Sequence, residues 1–78
     1  MDKIPLTPKQ KEILDFITIF YNNYHYMPTQ KEIGEGYIGD NQTIKSRTAR
    51  AAGVALNRLE QRGWIKMTRG KARAIQLL

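Results

Sequence analysis

Two four-residue signatures, Thr7-Pro8-Lys9-Gln10 and Thr29-Gln30-Lys31-Glu32, fix two helix starts in a chain of 78 residues. Each places a threonine three residues before a Gln or Glu. In that pattern the cap hydroxyl and the N3 side chain trade hydrogen bonds with amides that a helix start leaves unpaired. Pro8 strengthens the first signature, because its missing N–H costs nothing at N1. Ile13, Leu14, Phe16, Ile17, Phe20, Tyr21 and Tyr24 then recur at spacings of three and four. This wide apolar stripe predicts a helix from about Pro8 to about Asn23, ending before Pro28.

The second signature opens onto weaker ground. Only Ile33, Tyr37 and Ile38 offer apolar contacts, and Gly34, Gly36 and Gly39 each cost a helix roughly 1 kcal/mol relative to Ala. A short second helix is expected, fading into a turn at Gly39-Asp40-Asn41. A third helix has four candidate caps, Asn41, Thr43, Ser46 and Thr48, and a stop at Gly63. Trp64 to Thr68 and Ala72 to Leu77 then alternate apolar and polar residues about Arg69-Gly70-Lys71, as a β-hairpin does. The expected fold is α+β and mostly α, three helices followed by a C-terminal hairpin, in one domain over residues 1–78.

Several kinds of chemistry have no residues to carry them. The chain has no Cys, which rules out disulfides, thiolate nucleophiles and zinc ribbons. His25 is the only histidine and has no ligand cluster beside it; Ser46 is the only serine and has no base. Gly34, Gly36 and Gly39 lack the strand before and the Lys-Ser/Thr after that a phosphate loop needs. Tyr21, Tyr24, Tyr26 and Tyr37 could stack on bases, but tyrosine at helical spacing more often packs a core or loop. No catalytic residue, metal or cofactor is expected. No apolar run approaches a membrane span and the N-terminus lacks a signal-peptide stretch, so a cytoplasmic protein is expected.

Charge, by contrast, is strongly segregated. Residues 45–78 carry nine basic side chains (Lys45, Arg47, Arg50, Arg58, Arg62, Lys66, Arg69, Lys71, Arg73) against Glu60, or 9 − 1 = +8. Residues 1–44 sum to 4 − 6 = −2. At about 100° per residue, Ala49, Ala52, Leu56 and Leu59 form the inward stripe of the third helix. Arg47, Arg50, Ala51, Val54, Asn57, Arg58 and Gln61 fall on the opposite side, without one acid. A merely solvated face would gain from mixed-sign i,i+4 pairs. Arg can bond guanine O6 and N7, Asn can pair with adenine, and Val or Ala can touch a thymine methyl. Arg69, Lys71 and Arg73, on one side of the hairpin if its strand persists, suit a sugar-phosphate backbone.

Four blocks of residues carry a family resemblance. Leu6 to Ile17, beginning Leu-Thr-Pro-Lys-Gln-Lys-Glu-Ile-Leu, resembles the opening helix of the LexA repressor's DNA-binding domain. Met27-Pro28-Thr29-Gln30-Lys31-Glu32-Ile33 resembles that family's PPTxxEI entry to the second helix. Ala55 to Ile65 resembles its HLxxLxxKGxI exit from the third helix, and Ala72 to Leu78 its SRGIRLL closing strand. The order is kept over nearly the whole chain. The resemblance implies a winged helix-turn-helix with base-reading residues at the front of the third helix, around Thr48, Arg50, Ala51, Ala52 and Val54.

Two departures accompany it. Arg50 and Val54 stand where the family shows Asn and Glu, so a different target sequence is expected. The segment from Gly36 to Ser46 exceeds the family's tight turn, leaving a longer loop or an extended helix as alternatives. The family's C-terminal self-cleaving peptidase has no counterpart in these residues, which leaves a stand-alone small regulator or a fragment.

The expected function is sequence-specific binding of double-stranded DNA by a transcriptional repressor, bacterial or encoded by a phage or plasmid, and associated with the nucleoid. Base-reading falls to Arg47, Thr48, Arg50, Ala51, Val54, Asn57 and Arg58. Phosphate contacts fall to Thr29, Gln30, Lys31, Lys45, Ser46, Arg69, Lys71 and Arg73. A homodimer or a protein partner on paired half-sites is expected, and no membrane partner. The alternatives are a winged-helix adaptor docking on a host repressor or polymerase, and recognition of DNA ends or origins.

Overall fold

The structure, a computed structural model, describes residues 3–68, 70, 71 and 73–78. Both threonine signatures close as reciprocal capping boxes, opening α1 (Pro8–Tyr24) and α2 (Gln30–Glu35). α1 runs from Pro8 as expected and ends at Tyr24, one residue past Asn23. Its cap, His25, still donates its N–H to the Tyr21 carbonyl, and its left-handed φ of 61° turns the chain out of the helix.

α2 stops at Gly36, whose φ of 77° turns the chain out of the helix. The residues after it form neither a longer loop nor more helix. They fold into a small antiparallel hairpin, β1 (Tyr37–Ile38) and β2 (Asn41–Gln42), turning at Gly39-Asp40. The Tyr24 hydroxyl accepts from Gly39 N–H at 2.6 Å, holding the tip to α1. Gln42 Nε2 donates to Ser46 Oγ at 2.6 Å, and Ser46 Oγ donates to the Glu35 carbonyl at 3.2 Å. The chain therefore enters the next helix already pinned to the two before it.

Of the four candidate caps, Thr48 opens α3 (Ala49–Gln61), its hydroxyl accepting from Ala51 N–H. Gly63, at φ 84°, follows the C-cap as expected. β3 (Ile65–Met67) and β4 (Ile75–Leu77) pair antiparallel, Ile65 opposite Leu77 and Met67 opposite Ile75. These strands form the wing and are shorter than the alternation predicts.

The core joins Ile13, Phe16, Ile17 and Phe20 of α1 to Ile33, Ile44, Ala52, Leu56, Leu59, Ile65 and Ile75. Fully burying one such large aliphatic or aromatic side chain contributes about 1.5–3 kcal/mol. α2 approaches the entry to α3 so closely that a Cβ on Gly34 would lie 2.8 Å from the Arg47 carbonyl oxygen. Segment 3–6 closes the base of the wing: Trp64 Nε1 donates to the Ile4 carbonyl and Arg62 to the Pro5 carbonyl, both at 2.7 Å.

Candidate nucleic-acid interface

α3 turns Ala52, Leu56 and Leu59 into the core, which leaves Arg50, Val54, Asn57 and Arg58 exposed on the other side. Ala51 is exposed beside them. Glu60, the one acid of the C-terminal stretch, points elsewhere: its Oε2 accepts from Met67 N–H of the wing at 2.7 Å. Among the described residues the only ion pair is Arg73–Glu32, so no carboxylate neutralises the outward cations of α3.

Two expected base-reading positions sit differently. α3 begins at Ala49, so Arg47 precedes the helix and its helical-wheel angle has no helix to refer to. Arg47 is half-buried, its backbone N–H bonded to the Gly34 carbonyl at 2.7 Å and its guanidinium directed to the Lys45 carbonyl. The Thr48 hydroxyl is engaged in capping α3.

The expected phosphate ligands also divide. Thr29 closes its own capping box. Gln30 donates its amide to the Ala49 carbonyl and packs over Gly53, where a Cβ would fall 2.6 Å from Gln30 Nε2. Ser46 ties the small hairpin to α2. Lys31, Lys45 and Lys71 are exposed, and Arg69 lies outside the described residues. Residues 68–74 lie between the wing strands, so no strand alternation sets the direction of Lys71 and Arg73.

Arg73 turns inward to the helices. Its Nη1 lies 2.6 Å from Glu32 Oε1 and 2.9 Å from the Met27 carbonyl, and its guanidinium carbon stands 4.3 Å from the Tyr26 ring centroid. Partial burial pushes the Glu32 carboxyl up, but hydrogen bonds from Arg73 and Thr29 outweigh it and hold the group below its ordinary value. The bond to Glu32 in turn raises Arg73. A carboxyl depressed by folding contributes stability that is present at neutral pH and lost as pH falls through its folded pKa. Acid unfolding followed by circular dichroism should therefore begin at higher pH in wild type than in Glu32→Gln, each measured relative to its own neutral-pH stability. Parallel curves would contradict a stabilising pair.

One flank of the interface is absent from the sequence pattern. A groove of about 230 Å³ between the start of α1 and α3 is lined by Thr7, Lys9, Gln10 and Ile13 on one side and Ala51, Val54 and Arg58 on the other, with Arg47. Lys9 thus stands across this groove from the exposed face of α3. Only the tertiary packing of α1 on α3 brings it there, and no local pattern around Lys9 announces it.

Three helices, the last two meeting closely, with a strand pair after the third, define a winged helix-turn-helix domain. Residues 3–74 match the LexA DNA binding domain family. The chain belongs to that family. It is similar to the LexA repressor of Pseudothermotoga lettingae, 38% identical over 77 residues, covering 97% of this chain and 34% of that protein. The LexA repressor of Geotalea uraniireducens is 37% identical over 75 residues, covering 94% and 33%. That of Bacillus mycoides is 34% identical over 74 residues, covering 94% and 32%. The chain spans about one third of the length of these relatives. No helix among the described residues is long and apolar enough to cross a membrane.

Proposed function

We propose that this chain binds double-stranded DNA sequence-specifically and acts as a transcriptional repressor in a bacterial, phage or plasmid setting. The observation that carries the reading is the acid-free outward face of α3, set within a domain of a DNA-binding family. In the major groove, Arg50 suits guanine, Asn57 suits adenine, and Val54 and Ala51 suit thymine methyls. Arg58 extends this face toward the groove that Lys9 lines. Lys31, Lys45 and Lys71, all exposed, grip phosphates, as does Lys9 across the groove from α3. A single module of this kind buries limited surface, so two copies or a protein partner on paired half-sites supply the working affinity. Family membership does not favour the adaptor alternative.

Salt titration of binding to a random-sequence duplex tests the phosphate assignments. Wild-type affinity should fall steeply and linearly in log–log form, because each neutralised phosphate releases counterions. Lys9→Gln and Lys71→Gln should each weaken binding to all sequences alike and reduce the slope by about 0.9. A salt-insensitive affinity would overturn the reading.

A further inference from the structure

Arg73 fits a different role from that of a phosphate ligand. Its guanidinium is held on three sides by the body of the domain: the Glu32 carboxylate, the Met27 carbonyl and the face of Tyr26. The same Glu32 Oε1 that accepts from Arg73 also accepts from Thr29 N–H at 2.8 Å, completing the capping box of α2. Met67, the last residue of β3, has a tie of its own: its N–H donates to Glu60 of α3. Each helix of the helix-turn-helix pair therefore contributes one carboxylate to the wing, at two separate points.

We propose that Arg73 and Glu32 are positioning residues for DNA binding, a clasp that aims the wing, and with it Lys71, by fixing it to the start of α2. The proposal rests on the DNA-binding reading above. Carboxylates near a phosphate-binding surface are ordinarily unfavourable, and removing one ordinarily tightens binding. A clasp reverses that sign. Glu32 helps binding because it holds Arg73, and without it the wing loses its fixed direction. The fork of Arg73 matters as well as its charge, since lysine lacks the planar guanidinium that offers N–H groups to a carboxylate and a carbonyl from a fixed position over a tyrosine ring.

The test compares wild type with Glu32→Gln, Arg73→Gln, the double variant and Lys71→Gln on one random-sequence duplex across salt concentrations. Thermal unfolding confirms that each is folded. Glu32→Gln and Arg73→Gln should each weaken binding about five- to tenfold, the loss of roughly one charge-assisted phosphate contact. Their salt slopes should fall as that of Lys71→Gln does, and the double variant should be no weaker than the weaker single. Arg73→Lys keeps the charge and serves if a glutamine variant fails to fold; it too should bind more weakly than wild type.

Tighter binding by Glu32→Gln would overturn the clasp, as would an Arg73→Lys variant equal to wild type, which would place Arg73 directly on phosphate. Wild type that shows no salt-sensitive duplex binding would overturn the DNA-binding reading itself. That outcome is read from wild type alone, before any variant is compared.

Discussion

Replacing Arg50 with alanine should cost about 1–3 kcal/mol in binding to a selected duplex, the worth of one bidentate base contact. The same change should leave the free domain no less stable. Arg50 is the second residue of α3 and is exposed, and the first turn of that helix carries no acid. Helix N-termini favour negative charge, so a cation there costs about 0.3–1 kcal/mol. Lys45 and Arg47, just before the cap, crowd the same end with like charge. Alanine removes one cation and is also the best helix former. Nothing in the fold offsets this crowding of cations at the start of α3, which is the arrangement the proposed DNA contact would use. Competition binding and thermal unfolding on the same preparations check both halves. Lost stability with unchanged affinity would show that Arg50 serves the fold.

The largest expected loss of stability comes from Gly36→Ala. Gly36 sits at φ 77°, and a Cβ there would lie 2.4 Å from the Ile44 carbonyl oxygen. Ile44 is buried and leads the chain from the small hairpin into the core. Its N–H and that of Thr43 both donate to the Gly36 carbonyl. The strained conformation and the overpacking together should cost about 2–4 kcal/mol. A domain of this size holds roughly 4–12 kcal/mol in all, at 0.05–0.15 per residue. Gly70→Ala is the matched control, because Gly70 shares the positive φ at 82° but has nothing within 4 Å of the added carbon. Its cost should be about 1 kcal/mol. Equal denaturant midpoints for the two variants would contradict the close packing of Gly36 on Ile44.

What the sequence disclosed depends on the range of the interactions involved. Thr7, Thr29 and Gly63 act through neighbours within four residues, so their signatures are local and their elements form where expected. The wing is visible because Ile65, Met67, Ile75 and Leu77 alternate about a Gly-containing turn. The β1–β2 hairpin is not visible beyond its turn at Gly39-Asp40, because strands of two residues show no period. Gly34 and Gly36 are explained by backbone that passes close to them from residues 44–49. Periodicity assigns Arg47 to the wrong element because four residues could cap α3 and only packing selects Thr48. Arg73 and Glu32 lie 41 residues apart, and no pattern of spacing shows that one turns to meet the other.

Selection from a library of random duplexes, using the full chain, tests most directly whether the outward face of α3 reads DNA. The expected result is an enriched motif whose preference relaxes at one base pair when Arg50 becomes alanine, while Lys71→Gln leaves the motif intact and lowers its yield. Recovery of no motif from a folded protein, or of the same motif with Arg50→Ala, would contradict it.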